Sequence, residues 1–239
     1  MMINIDEMNL KLLLSLPIDI DGLKIYSPSL KSVIAIGYEN YNRILSSWLF
    51  DKNKVPDLEK MEQSNLNFII YFYEKDPDFR NHINTGSKLL FKEEVSVIFE
   101  NNSPSLYIGD IRISSELLNS VQAAIKISNK IPDKVIDEEF NPANSKAEEF
   151  IKKIMGDRAK KPKKKQVNNL HSLISGLSWK SNNISILDIG ELSIYQFYDG
   201  YYRLENIDHY NNIMTGIYNG NIDSTKIKIQ ENSWAKIID

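Results

Sequence analysis

The 239-residue sequence contains no cysteine, which excludes disulfides, thiolate catalysis and cysteine-ligated zinc and fits a reducing compartment. Histidine is almost as scarce. His82, His171 and His209 stand far apart and none belongs to an HExxH helix, so the two imidazoles that a zincin places on one ion are missing. The glycines form neither GxGxxG nor GxxxxGK, and no GxSxG elbow occurs. Phosphate cradling by backbone N–H groups and acyl transfer on a strained serine therefore have no motif here. No acidic residue lies two positions before a lysine, the spacing that would align both on one strand face of a metal-dependent nuclease. No metal, cofactor or catalytic residue is expected, and the chain reads as a non-enzymatic binding protein.

Long uncharged apolar runs are also missing. Leu10 to Leu16 is interrupted by Lys11 and Ser15 and ends at Pro17, with no basic segment ahead of it, unlike a signal peptide. No run approaches the roughly 20 apolar residues of a membrane span, so a cytoplasmic protein is expected. The net charge of −3, from 29 basic and 32 acidic side chains, offers no global attraction to nucleic acid or anionic lipid.

What is present is helical periodicity broken by short alternating segments. Ile18 and Ile20, then Leu23 and Ile25, flank Asp21-Gly22, which predicts a two-residue hairpin. Ser27-Pro28 reads as a helix start. Leu30, Val33, Ile34, Gly37, Tyr38, Tyr41, Leu45 and Trp48 then predict one amphipathic helix over 29–50, with Gly37 a point of close approach. A second helix is expected over 57–74, ending before Asp76-Pro77, followed by a meander through Val95–Glu100, Leu106–Ile108 and Ile111–Ile113. Ser114 or Ser115 can cap a helix carrying Leu117, Leu118, Val121, Ile125 and Ser128 on one side.

Composition shifts from Asn129 to Gln166, with Asp137-Glu138-Glu139, a short helical stripe at Ala147, Phe150, Ile151 and Ile154, and the basic run Arg158 to Lys165 broken by Pro162. These predict a charged linker over 131–166 between an α+β unit at 1–130 and a helical unit at 167–239. The lysines could meet phosphates, but no aromatic residues interleave as a stacking surface requires; nucleic acid is not an expected partner. Past the linker, Leu170, Leu173, Ile174 and Leu177 form a stripe, and Asp188 with Glu191 predicts a capping box opening the next helix. The fold class is α+β, predominantly helical, with N-terminal hairpins packed on helices and a C-terminal helical unit.

The helix after Asp188 carries two aromatic rows. Tyr195, Tyr198 and Tyr202 share one, while Phe197, Tyr201 and Leu204 share the other. Phe and Leu have no polar group to satisfy, so their row is assigned to the core and the tyrosine row to a protein partner, tyrosine being suited to a surface that must tolerate water.

Pro17 to Ile20, Leu23 to Leu30 and Ile36 to Ser46, together with Ile189 to Asp199 and Thr215 to Gly220, resemble tail-region proteins of phages and prophages of Gram-positive bacteria, of the kind described as tail assembly chaperones. The resemblance implies a cytoplasmic, non-enzymatic protein that binds the tape-measure protein and assists tail-tube polymerisation; such families often make a short and a long product by ribosomal frameshifting, for which the boundary near Lys160 to Lys165 would be a natural place. This chain is longer than many such chaperones. A virion structural protein, such as a tail or connector subunit, is the alternative class, and an enzyme or inhibitor of host defence with an unfamiliar site is a third. Self-association is compatible with all of them.

Overall fold

A computed structural model describes residues 4–55, 58–100, 103–132, 169–181 and 184–237. The expected linker helix, the lysine run and most of the 131–166 segment lie outside the described residues. The fold is α+β and predominantly helical, with nine α-helices and five β-strands among the described residues.

Helix α1 (Ile5–Leu13) is capped by Asn4 and buries Met8 and Leu12. Strands β1 (Ile18–Ile20) and β2 (Leu23–Ile25) form the expected hairpin, Ile18 opposite Ile25. Asp21 and Gly22 both take positive φ, 50° and 88°, as a two-residue turn of the hand matching strand twist requires. Alternation does the rest: the four apolar strand residues are buried and the two between them exposed.

The long amphipathic helix expected at 29–50 is two helices, α2 (Leu30–Ile36) and α3 (Tyr38–Trp48). Its cap is Ser29, whose side chain accepts from the Ser32 N–H, rather than Ser27. Gly37 divides the two at φ 88°, ψ 128°, a conformation that glycine adopts without a Cβ penalty. A Cβ there would meet only Asn40, at 4.0 Å, so Gly37 serves the break and not a close approach. The break also changes the helical phase. Ile34, counted with the apolar face, is 51% exposed and Tyr38 is 39% exposed, whereas Tyr41, Ile44, Leu45 and Trp48 are buried.

Helix α4 (Asn65–Lys75) starts at a Ser64 cap, eight residues later than expected, and ends ahead of Asp76-Pro77 as proline demands. Helix α5 (Pro77–Leu90), unforeseen in the sequence, is capped by Asp76, whose carboxylate accepts from the N–H groups of Asp78 and Phe79. The meander is present as β3 (Val95–Glu100), β4 (Ser103–Ile108) and β5 (Ile111–Arg112), antiparallel in that order. Helix α6 (Ser115–Ser128) is capped by Ser114 and buries the side anticipated for it, Leu117 through Ser128.

Helix α7 (Leu170–Lys180) buries Leu177 and lays Leu170, Leu173 and Ile174 against the core. The next boundary departs from expectation. Asp188 is the third residue of α8 (Ile186–Glu191), where its carboxylate answers the Ser185 cap in a capping box. Those bonds from the Ser185 hydroxyl and backbone N–H hold the Asp188 carboxyl below its ordinary pKa. The chain breaks at Leu192 and restarts at a second box, Ser193 with Gln196, opening α9 (Ile194–Tyr218). Elements on both sides of residues 133–168 share one core: Leu177, Ile189, Ile194, Tyr195 and Phe197 belong to the same buried cluster as Leu30, Tyr41, Trp48 and Ile125. No described helix is long and apolar enough to cross a membrane.

Candidate docking surface

The start of α9 is fixed by bonds to distant segments. The Leu30 N–H donates to the Leu192 carbonyl and the Ile194 N–H to the Pro28 carbonyl, 2.8 and 2.9 Å. These two bonds make a one-residue bridge of Ser29 with Ser193. The Tyr195 N–H donates to the Ser27 hydroxyl, which in turn donates to the Ser128 carbonyl of α6. On the other side the Gln196 amide reaches the Leu13 carbonyl of α1 at 2.8 Å. The 27–30 segment and α1 thus bond directly to one helix turn, with α6 held to it through Ser27, so its side chains are presented from a tethered frame.

The three tyrosines of the expected partner row stand at three depths. Tyr195 is buried, with the Lys130 ammonium 4.6 Å from its ring centroid. Lys130 also pairs with Asp199 at 3.3 Å, both side chains largely covered. Tyr198 is half-buried and its hydroxyl lies 3.3 Å from that of Tyr38. Tyr202, 39% exposed, stacks on Tyr198 at 6.4 Å and meets Tyr201 edge-on at 5.4 Å. The other row follows its core assignment at Phe197, which is fully buried and edge-on to Tyr198 at 5.2 Å; Leu204 packs against the core, and half-buried Tyr201 donates its hydroxyl to Glu205 at 2.6 Å.

The outer surface is therefore an aromatic ladder of Tyr38, Tyr198 and Tyr202, backed by buried Phe197. Tyr38 comes from α3 and was missed because the periodicity of 29–50 placed it on the inner face; glycine followed by a capped restart was the signal available. Tyrosine edges and hydroxyls facing water over a fixed backing suit protein contacts, since each ring loses little entropy on docking.

The phenols also report their surroundings. Burial, with the Asp199 carboxylate beside it, pushes the Tyr195 hydroxyl up to about 12, and the hydrogen bond to Glu205 takes Tyr201 to about 12. Burial and the Tyr38 contact push Tyr198 higher still. A folded pKa above the unfolded value of 10.0 means that the folded chain holds the proton longer. The stabilisation is complete below pH 10 and is lost as pH rises towards 12. An alkaline titration followed by phenolate absorbance and circular dichroism is expected to show these phenols ionising late, together with loss of structure; ionisation of every tyrosine near pH 10 with the fold intact would contradict this placement.

Below the ladder, a cleft of about 340 Å³ lies between α1, the end of α6 and the C-terminal segment, lined by Asp6, Lys130, Tyr195, Asp199, Arg203 and Lys236. Arg203 donates from Nη1 to the carbonyls of Trp234 and Lys236, at 2.9 and 2.8 Å, holding that segment over α9. Of the cleft's cations, Lys130 is paired with Asp199 and Arg203 is bonded to backbone, a structural use of charge. The histidines lie on three helices, α5, α7 and α9, and His209 faces Asn232 at 3.2 Å on the surface. Among the described residues no three His, Asp or Glu side chains gather as metal ligands.

Residues 160–239 match a family model described as the YomV second domain. The match spans the last third of the chain, including α7 to α9 and two of the ladder's three tyrosines, and supports a phage or prophage origin. No curated protein and no solved structure matches the chain.

Proposed function

We propose that this phage protein is a non-enzymatic tail assembly chaperone that holds the tape-measure protein, and through it the tail-tube subunits, on the Tyr38/Tyr198/Tyr202 ladder. The observation that carries the reading is the ladder itself, aromatic on its outer side, backed by buried Phe197 and tethered by the 27–30 segment, α1 and, through Ser27, α6. Its position mostly within the phage-family match agrees with the resemblance of Ile189 to Asp199 and of Ile36 to Ser46 to tail assembly chaperones. Apolar, aromatic docking without chemistry is what a scaffold for a long helical partner needs, because such a partner presents repeated apolar anchors to a groove or face.

Calorimetry of the purified chain with the tape-measure and tail-tube proteins of the same phage tests the proposal. Tyr202→Ala and Tyr38→Ala are each expected to weaken binding by about 1–2 kcal/mol, roughly 5–30-fold, as interface tyrosines do, with melting temperatures nearly unchanged. Wild-type binding that both substitutions leave intact removes the ladder from the interface. Absence of binding, with the chain found as a stoichiometric component of finished particles, moves the protein to the virion structural class.

A further inference from the structure

The sheet formed by β3, β4 and β5 leaves one long strand on its edge. The Gly109 N–H donates to the Glu94 carbonyl at 2.8 Å, and with the register Val95↔Ile108 to Glu100↔Ser103 this fixes which backbone groups face β4. Pairs exchanging hydrogen bonds alternate along an antiparallel ladder, so Ser96, Ile98 and Glu100 bond to β4. Val95, Val97 and Phe99 therefore point their N–H and C=O groups away from the sheet. The Val95 carbonyl is taken by the Tyr73 hydroxyl at 3.4 Å. Among the described residues, Val97 and Phe99 are left with no backbone partner.

Sheet edges are normally blunted by lysine, proline or an inward charge, and β3 (Val-Ser-Val-Ile-Phe-Glu) has none of these at its open positions. Its one charge, Glu100, accepts from the Tyr107 hydroxyl at 2.6 Å and pairs with Arg112 at 3.8 Å. Meanwhile Ile98 is 46% and Phe99 68% exposed. An edge carrying two free residues and two bare apolar side chains is built to receive a strand.

The strand's own sequence supplies the complement. We infer that β3 pairs antiparallel with β3 of a second copy of this chain about a twofold axis at Ile98, joining two three-stranded sheets into one of six. In that register Val97 of each copy exchanges both hydrogen bonds with Phe99 of the other, which satisfies the open N–H and C=O groups of these two residues and does not use the Val95 carbonyl engaged by Tyr73. Ile98 lies opposite Ile98 on the solvent face, Phe99 opposite Val97 on the inner face, and Ser96 opposite Glu100. Both exposed apolar side chains gain cross-strand partners, and no two charges meet directly. The pairing is isologous, so it closes at a dimer.

The cysteine-free sequence makes the register directly readable. Directly opposed residues that do not exchange hydrogen bonds have Cα atoms about 4.5 Å apart, within the range a disulfide spans, so Ile98→Cys is expected to form a disulfide dimer readily under mild oxidation. Ser96→Cys lies on the same solvent face, but its counterpart is displaced by four residues, about 13 Å along the strand, and is expected to remain uncrosslinked. Light scattering of the wild type is expected to give twice the 27.6 kDa chain mass. Val97→Pro removes one outward N–H without touching the β4 ladder and is expected to yield a folded monomer. Ile98→Lys, altered only on the solvent face, serves if the proline variant fails to fold, and its opposed ammonium groups are likewise expected to give a monomer. A wild type that stays monomeric at all concentrations, equal crosslinking of the two cysteine variants, or a folded Ile98→Lys chain that remains dimeric would each overturn the pairing. A monomer that binds an extended peptide at this edge would assign the strand to another occupant.

Discussion

Phe197→Ala is expected to lower the unfolding free energy by about 3–5 kcal/mol, the range for truncating a buried aromatic. The ring is fully buried, edge-on to Tyr198, within the one cluster that joins α9 to the hairpin and α3. Its removal forfeits burial and leaves a space that the surrounding backbone closes poorly, because the Ser29–Ser193 bridge and the Gln196 bond to α1 hold both sides of the turn in place. At about 2–4 °C per kcal/mol for a chain of this size, melting should fall by roughly 6–20 °C. Tyr202→Ala on the same helix, at a surface residue that is 39% exposed, should shift it by only a degree or two. Equal losses for the two would mean that α9 is buried on its other face.

Gly86→Ala is the second large effect, and its sign runs against helix propensity. Alanine in place of glycine inside a helix ordinarily stabilises by about 1 kcal/mol. At Gly86 a Cβ would stand 2.5 Å from Trp48 Nε1 and 2.7 Å from Ile44 Cγ2, inside any permitted contact. Neither neighbour can yield, since both are fully buried and the Trp48 indole donates to the Ile83 carbonyl at 3.3 Å and sits edge-on to Phe91 at 4.9 Å. Overpacking of about 1–3 kcal/mol or more outweighs the propensity gain. Denaturant unfolding is expected to show a lower midpoint for Gly86→Ala; a higher one would mean that α3 and α5 are not in close contact at that point.

The elements legible in the sequence were those with a local signal strong enough to stand alone. Asp21-Gly22 specified the first hairpin, Ser114 the start of α6, and Asp76-Pro77 the end of α4. The helix breaks were illegible because each was hidden by a pattern that runs through it. Gly37 falls where an apolar residue would, so the period of Leu30 to Trp48 continues across a discontinuity. Asp188 and Glu191 have capping-box spacing, yet the serines at 185 and 193 do the capping, each with its own acceptor three residues on. Helix α5 escaped notice for a different reason. Two of its four buried residues, Gly86 and Ser87, are small, so the stripe that packs on Trp48 barely registers as hydrophobic.

At the candidate site, spacing alone put Tyr195, Tyr198 and Tyr202 in one row and Phe197 in another. How deep each row descends is set by residues far away in the chain. Lys130 and Ser27 enclose Tyr195, while Tyr38 meets Tyr198 from the other side. None of these partners is within reach of a periodicity window, and Tyr38 joins the ladder only because α2 and α3 are separate.

The bridge between Ser29 and Ser193 also sets a timetable. Ser27 and the Tyr195 N–H it receives are 168 residues apart, and a ribosome adding about 5–20 residues per second needs roughly 8–34 s to cross that interval. Leu30 and Val33 are fully buried in the finished chain, yet during that interval the segments from 169 onward that complete their surroundings have not been made. The N-terminal half emerges with an apolar seam waiting for a helix still to be translated, so the protein spends its own assembly in the state of unfinished burial that it is proposed to relieve in its partner.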